Sequence, residues 1–293
     1  MRRFTRFACI DWSGAAGAQQ KGIALAVCAV GEAAPQLVPP PARYWSRASI
    51  LDWLLARAEE QTDMIVGVDF SAALPFDGDR EGGGGYFPGL ADMPRDARAL
   101  WRHVDETCAD DPHLGAGHYV RHDDLAPFFR LGATTGARFA SPDRNGRLRM
   151  VERETGSGNP ASCFNLVGAK QVGLSSLTGM RVLHRLAGRI PVWPFDDIPV
   201  GGPLIVEIYT SIAALAAGRA KGRAKMRTIE AMNAALARLG SAPAPGSGAI
   251  DDHASDAIVT AAWLRLAAAD AALWSPPGMA AVRDTEGWTF GVP

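Results

Sequence analysis

Two short segments of this 293-residue chain repeat one pattern of residues that can do chemistry. Residues 9–13 read CIDWS and residues 67–71 read GVDFS, so each segment ends an apolar run with an aspartate, an aromatic residue and a serine. An aspartate that caps a turn is a sufficient explanation for either segment alone. Two carboxylates held side by side repel each other and need a shared proton or a cation. The repeat therefore points to a paired acidic site built on Asp11 and Asp69.

The elements that would position this pair are two buried strands. The apolar runs that precede Asp11 and Asp69 predict strands at residues 4–11 and 64–69. A helix predicted at residues 46–60 separates them, as expected for a crossover between parallel strands. Parallel neighbours lie about 4.8 Å apart. We therefore expect both aspartates at the carboxyl edge of one sheet, where open α/β folds bind ligands.

Further acids occur where a solvated surface does not explain them. Glu207 lies within the apolar strand predicted at residues 203–209, and Asp256 lies one turn inside a long helix predicted at 251–273. His253 and Asp256 share a face of that helix. We predict that Asp11, Asp69, Glu207 and Asp256 are catalytic, and that Asp11, Asp69, Asp256 and His253 bind metal. Whether Asp252 rather than His253 joins the site is left open.

The donor set determines which metal is expected. Carboxylate oxygens with one imidazole suit Mg²⁺ or Mn²⁺, and the set has too little sulfur for structural zinc. A cluster of this kind can hold two ions about 3.5–4 Å apart and clamp the attacking and leaving oxygens of a phosphodiester. The sequence thus favours hydrolysis of a nucleic acid, with DNA and RNA not distinguished.

Polar and basic residues near these acids are candidates for substrate binding. We assign this role to Ser13 and Ser71, which follow the twin aspartates, and to Arg219, Lys221 and Arg223. The three cations belong to an alternating basic run, residues 219–227, that follows the strand of Glu207 and can contact phosphates. A solvated linker entering the next helix explains that run equally well.

The whole chain predicts one α/β domain, residues 1–293, with a mixed sheet flanked by helices. Its length and 47% apolar content suit a single large core. Residues 74–200 lack the long apolar periodicities of helices and strands. We interpret them as a loop-rich insertion with short helices. We place this insertion after the fourth strand and over the carboxyl edge of the sheet.

Composition narrows the function classes. A net charge of −1 gives no global nucleic-acid signature, so any basic surface must be local. The four cysteines form no C-x-x-C pair, which favours a reducing, cytoplasmic compartment over a zinc or disulfide framework. No apolar run of membrane-spanning length occurs, so we expect no membrane segment.

Five segments together carry a family resemblance: residues 10–14 (IDWSG), 68–71 (VDFS), 206–209 (VEIY), 252–257 (DHASDA) and 286–288 (EGW). Their order resembles the ribonuclease H-like nucleases, which include the Holliday-junction resolvase RuvC, and a domain-of-unknown-function family described as predicted nucleases of that fold. The resemblance implies a ribonuclease H-like mixed sheet and a RuvC-like acidic metal site at Asp11, Asp69, His253 and Asp256. Glu207 is additional to the usual acid set, and the acid that many members carry on the first helix has no clear counterpart.

Two other functions remain as alternatives. A non-catalytic member of the same fold would bind nucleic acid or protein, although such a protein has no use for repelling carboxylates. The actin and sugar-kinase phosphotransferases share the core, but their second half has its own glycine hairpin, and residues 69–73 (DFSAA) lack that glycine.

Overall fold

The computed structural model describes residues 2–78, 84–139, 147–154, 162–168, 172–220 and 225–293. They form an α/β fold around a six-stranded mixed sheet with helices on both faces. In chain order the strands are β1 (Arg6–Asp11), β2 (Ala24–Ala29), β3 (Gln36–Leu37), β4 (Met64–Val68), β5 (Arg130–Leu131), β6 (Thr134–Thr135), β7 (Val192–Trp193) and β8 (Leu204–Glu207).

The α-helices fall into the insertion and the two ends of the chain. They are α1 (Arg47–Glu59), α2 (Ala97–Thr107), α3 (Gly117–Arg121), α4 (Met150–Glu154), α5 (Gly173–Arg185), α6 (Thr210–Ala216), α7 (Ile229–Arg238), α8 (Asp252–Ala267) and α9 (Met279–Val282). Short 3₁₀ turns occupy Pro112–Leu114, Ala126–Phe128 and Ala271–Trp274.

The order of strands in the main sheet is β3-β2-β1-β4-β8-β7. The first three form an antiparallel meander, whereas β4, β8 and β7 run parallel to β1. Ile10 of β1 lies opposite Val68 of β4, which in turn lies opposite Glu207 of β8. The prediction that the two aspartate-bearing strands are parallel neighbours is confirmed.

Alternation along the strands divides the interior into two cores. Ile10, Val68 and Ile205 face a core shared with α1, α2 and α5. Cys9 and Val206 face the opposite core, which α6, α7 and α8 cover. Because a strand residue faces the side opposite to its immediate neighbours, these assignments fix the direction of every side chain at the carboxyl edge.

The region predicted as an insertion after the fourth strand, residues 74–200, contains more of the main fold than expected. Its last part contains β7, which pairs with β8 in the main sheet, and α5, a buried 13-residue helix. The boundary at residue 200 is therefore too late. The described residues 288–292 form no strand, and one hydrogen bond from the Phe290 backbone N–H to the Glu207 carbonyl links them to β8.

Among the described residues, no single helix has the length and apolar character needed to cross a membrane. The helical stretches Asp252–Ala267 and Ala271–Val282 reach that length and apolar character only when they are taken together, and a bend of 101° separates them.

Candidate active site

The twin aspartates lie side by side at the carboxyl edge of the sheet. Asp11 is the last residue of β1, and Asp69 directly follows β4, where its backbone N–H donates to the carbonyl of Ile10 at 3.0 Å. Asp11 lies two residues beyond Cys9 and Asp69 lies four residues beyond Ile65, and both of these side chains are on the α8 face, so both carboxylates point to that face. The repeated sequence pattern therefore produces one acidic pair rather than two separate turn caps.

Helix α8 supplies the third acid and a histidine. The Asp251 carboxylate accepts a hydrogen bond from the His253 backbone at 3.1 Å and so sets the start of α8. His253 then lies in the first turn, with its Nδ1 2.9 Å from Oδ2 of Asp11. Asp256, one turn further along, is 6% exposed. Of the two residues left open by the sequence, His253 is the one that contacts the twin aspartates.

The charges of the three aspartates act on one another; Asp11 and Asp256 are buried and Asp69 is half-buried. Burial raises the pKa of Asp11 above the usual aspartate range, while the hydrogen bond to His253 opposes this shift. Burial, with the Asp11 charge second, raises the pKa of Asp69 to about 8. Burial also raises the pKa of Asp256 to about 6, against the lowering effect of the Lys225 ammonium. The negative charges of these three groups are therefore only partly compensated.

The pKa of Cys9, a buried residue next to the acids in β1, responds to all three carboxylates. Its thiol is fully buried, and burial raises its pKa well above the ordinary cysteine value. The charges of Asp11, Asp69 and Asp256 each raise it further. All three carboxylates thus act on one sulfur atom, as expected if β1, β4 and α8 bring them to one place.

Two protein cations compensate part of this charge. The Lys225 ammonium lies 3.0 Å from Asp256 and 3.3 Å from Asp252, with its side chain 54% exposed. The hydrogen bond to Asp11 raises the pKa of His253 and favours its protonated form. The backbone and hydroxyl of Thr210 donate to Asp69 at the long distances of 3.4 and 3.2 Å. No cation lies within ion-pair distance of Asp69 among the described residues.

The residues that follow the aspartates fix the loops. Trp12 and Phe70, the aromatics of the two repeats, meet edge to face with ring centres 5.2 Å apart. Gly14 approaches α5 so closely that a Cβ would lie 2.4 Å from the Ser175 nitrogen, so only glycine fits. The buried Arg47 guanidinium donates to the carbonyls of Ser13 and Ala15. These contacts hold the loop after Asp11 in one conformation.

The serines of the repeats have different surroundings. Ser13 lies beside the candidate site, because a Cβ added to Gly22 would touch both its Oγ, at 3.3 Å, and His253, at 3.4 Å. Ser71 is 1% exposed, its side chain hydrogen-bonds Cys163, and its backbone N–H donates to the Ser176 hydroxyl oxygen. Direct substrate contact is thus available to Ser13. The assignment of Ser71 to substrate binding requires correction, because the core covers it.

Glu207 does not join the acids at the carboxyl edge, which corrects its assignment as catalytic. It follows Val206, whose side chain is on the α8 face, so the Glu207 side chain points to the other face of the sheet. There its carboxylate binds the Arg149 guanidinium at 2.8 and 2.5 Å. Backbone Ala72 and the Thr289 hydroxyl also donate to it, at 2.8 and 2.5 Å. These four bonds occupy both carboxylate oxygens.

Arg149 is the centre of a closed polar cluster, and sequence reasoning did not identify it. All five of its guanidinium N–H groups have partners, which lie on Glu152, Glu207, Tyr209 and the Glu286 backbone. The Glu286 carboxylate, in turn, accepts from two backbone nitrogens at 2.7 and 2.6 Å. The cluster ties α4 to β8 and the chain end. Arg149 lies in a polar, pattern-free segment, so no sequence signal indicated this role.

The basic run is only partly described. Lys221 and Arg223, predicted to bind substrate, lie outside the described residues. Arg219 donates to the carbonyl of Lys225 at 3.5 Å. Lys225 itself and Arg227, 3.9 Å from Asp252, are the members that contact the acids. The alternation of charges indicated the run but did not single out Lys225. Thr210, one residue beyond the predicted strand 203–209, carried no signal at all.

The donor chemistry of this site fits a hard divalent cation. Asp11, Asp69 and Asp256 offer carboxylate oxygens, and His253 offers one imidazole, which is the set that Mg²⁺ and Mn²⁺ accept. In addition, single ligand atoms of Asp251, Asp252 and His253 lie within 4.8 Å of one another. The structure thus contains an acidic cluster with a histidine, without identifying the ion.

No family model, curated protein or solved structure matches this chain.

Proposed function

We propose that this chain is a ribonuclease H-like, metal-dependent nuclease that hydrolyses phosphodiester bonds of nucleic acid at Asp11, Asp69 and Asp256. The observation that carries the proposal is the concentration of three mutually repelling carboxylates at the carboxyl edge of the sheet, those of Asp11 and Asp256 buried and that of Asp69 half-buried. Buried acids without full compensation favour a bound cation. Perturbed acids of this kind also cluster at functional sites.

The topology supports the ribonuclease H-like assignment. The first strand ends in Asp11 and begins an antiparallel meander, its parallel neighbour β4 leads to Asp69, and α8, which carries Asp256, packs against β1. This is the placement that the resemblance of the sequence to ribonuclease H-like nucleases implies. The proposal covers the fold family as well as the activity.

Each residue has a defined part in the proposal. Asp11, Asp69 and Asp256 would hold Mg²⁺ or Mn²⁺, and a bound ion would supply Lewis acidity toward phosphoryl oxygens. The bond between Nδ1 of His253 and Asp11 orients the ring and leaves Nε2 as its second nitrogen. Lys225, next to Asp256 and half exposed, would meet the charge of a substrate phosphate.

A substrate panel with a matched variant tests this proposal. Labelled single-stranded DNA, single-stranded RNA, duplexes and hybrids are incubated with Mn²⁺, and the wild type is compared with Asp69→Asn and with Asp124→Asn. Asp124 is a 70% exposed acid outside the site. We expect cleavage by the wild type and Asp124→Asn, with at least a hundredfold loss in Asp69→Asn. Cleavage that survives in Asp69→Asn, or cleavage of no substrate, would overturn the nuclease proposal in favour of a binding protein or a phosphotransferase.

A further inference from the structure

A groove of about 480 Å³ lies beside the acidic cluster, between β2, β3 and the start of α8. Leu25, Val38 and Trp45 form its apolar walls, and Tyr44, half-buried, contributes a second aromatic ring. Its volume is within the usual range for a small-ligand site. The groove is therefore large enough for one flat heteroaromatic group with its attached sugar.

Two exposed cations, Lys21 and Arg43, stand at the rim of this groove. Within the described ranges neither has an acidic partner at ion-pair distance, in contrast to the paired Arg98 and Arg185. The Arg43 guanidinium lies 5.3 Å from the centre of the Tyr44 ring. Flat guanidinium and aromatic surfaces stack on nucleobases, and free cations hold phosphates.

The groove adjoins the candidate active site directly. Asp251, which lines the groove, has a carboxylate oxygen within 4.8 Å of ligand atoms of Asp252 and His253. On the other side, Lys21 precedes Gly22, whose missing side chain faces His253. A strand seated with one base in the groove would therefore have its backbone next to the acids.

We infer that this groove, the β2–β3 groove, is a nucleobase subsite that binds one unpaired base of a single-stranded nucleic acid, with Lys21 and Arg43 holding its flanking phosphates. The inference rests on the proposed function and specifies its substrate class. A base must leave a duplex to enter a groove between a sheet edge and a helix, whereas in a single strand it is already accessible. The site therefore favours single strands over duplexes.

Oligonucleotide binding measured in EDTA, which removes divalent metal ions, tests the subsite without requiring cleavage. Fluorescently labelled ten-nucleotide oligo(dT) and oligo(U) are titrated with the wild type, with Lys21→Gln/Arg43→Gln and with Tyr44→Leu, at several salt concentrations. The matched control is Arg102→Gln/Arg189→Gln, which removes the same charge from two exposed arginines at α2 and after α5. Melting temperatures verify that all variants are folded.

We expect Tyr44→Leu to weaken binding by about 5- to 150-fold, the range that corresponds to one lost base stack. The rim variant should reduce the slope of log affinity against log salt by about 1.4, the contribution of two phosphate contacts to a single strand. The control should match the wild type, and a duplex of equal length should compete at least tenfold less well than the single strand. A difference between the two oligonucleotides would identify the sugar that the site prefers.

Three results would overturn the subsite: no binding by the wild type, equal losses in the groove and control variants, or equal competition by duplex. Displacement of the oligonucleotide by polyglutamate at equal charge would instead indicate a protein partner. The cleavage experiment and the binding experiment can give negative results independently of each other. An inactive protein that binds through the groove overturns the nuclease proposal alone, whereas an active one with groove-independent binding overturns only the subsite.

Discussion

The sheet has two clusters of acids that are buried or half-buried, one on each face, and their charges are compensated to different extents. On one face Glu152, Glu207 and Glu286 surround Arg149, whose five N–H groups all have partners. On the other face, the described cations beside Asp11, Asp69 and Asp256 are a half-exposed lysine and a histidine. Within the described residues the charges of the first cluster are fully partnered, and those of the second are not.

This difference separates a structural role from a functional one for residues of the same chemical type. The Ala72 backbone N–H, the Thr289 hydroxyl and the Arg149 guanidinium donate to both oxygens of the Glu207 carboxylate, so it has no capacity left for a ligand. Burial and mutual repulsion instead raise the pKa of Asp69 to about 8 and that of Asp256 to about 6. A bound cation would relieve that repulsion, whereas the glutamate cluster would gain nothing from one.

The largest expected effect comes from breaking the complete cluster. Arg149→Met should lower the free energy of unfolding by about 3–5 kcal/mol, because it leaves buried glutamates without their cation. Urea denaturation measures the change. The matched control is Arg153→Met, an exposed arginine on the same helix that donates to the carbonyl of Leu148. The control should change stability by less than about 1 kcal/mol. A loss as small in Arg149→Met would contradict the structural role.

Removal of a charge from the acidic cluster should raise the free energy of unfolding, whereas removal of Arg149 lowers it. A carboxyl whose pKa is higher in the folded than in the unfolded state stabilises the fold at low pH and loses this contribution as pH rises. For Asp69 the loss extends from about pH 4 to its folded pKa of about 8. Asp69→Asn should therefore be more stable than the wild type at pH 8, by on the order of 1–3 kcal/mol.

The pH dependence of that difference distinguishes it from a packing effect. Urea denaturation at pH 5 and pH 8 should show the advantage of Asp69→Asn shrinking toward acid, while Asp124→Asn remains close to the wild type at both pH values. His103, whose pKa burial lowers, contributes with the opposite sign but equally in both proteins. An Asp69→Asn protein that is destabilised at pH 8 would show that the raised pKa does not govern this site.

Addition of Mn²⁺ should reverse the order of stabilities. A ligand that binds only the folded state stabilises it by an amount that grows with concentration, about 2.7 kcal/mol at a hundredfold excess over Kd. We expect a melting-temperature rise for the wild type and Asp124→Asn at pH 8, a smaller rise at pH 5, where protons compete, and none for Asp69→Asn. An equal rise in all three proteins would place the ion elsewhere.

The smallest expected effect belongs to Lys225. Because its side chain is 54% exposed, Lys225→Met should change stability without added metal by less than about 1 kcal/mol. Removing the ammonium from Asp256 and Asp252 should, however, increase the melting-temperature rise that a fixed Mn²⁺ concentration produces. Arg102→Met, which replaces an exposed arginine on α2, serves as the control. A smaller rise in Lys225→Met than in the control would mean that Lys225 assists the ion instead of competing with it.

The sequence was most informative where a local pattern and a general rule of sheet geometry coincided. Strand-ending aspartates separated by a helical crossover were sufficient to predict that Asp11 and Asp69 are neighbours. Helical spacing was sufficient to place His253 and Asp256 on one face of α8. Both inferences rely on short-range periodicity, which any soluble α/β chain of this pattern must obey.

Long-range contacts decided the rest. Whether Glu207 faces Asp69 or Arg149 depends on the phase of β8, a shift of one residue that an almost wholly apolar strand does not reveal. The burial of Ser71 depends on α5, and the place of Lys225 depends on the packing of α8. The sequence by itself determined which acids are available and which strand ends carry them. Only the tertiary structure decided which acids are neutralised internally, because the neutralising groups come from segments distant along the chain.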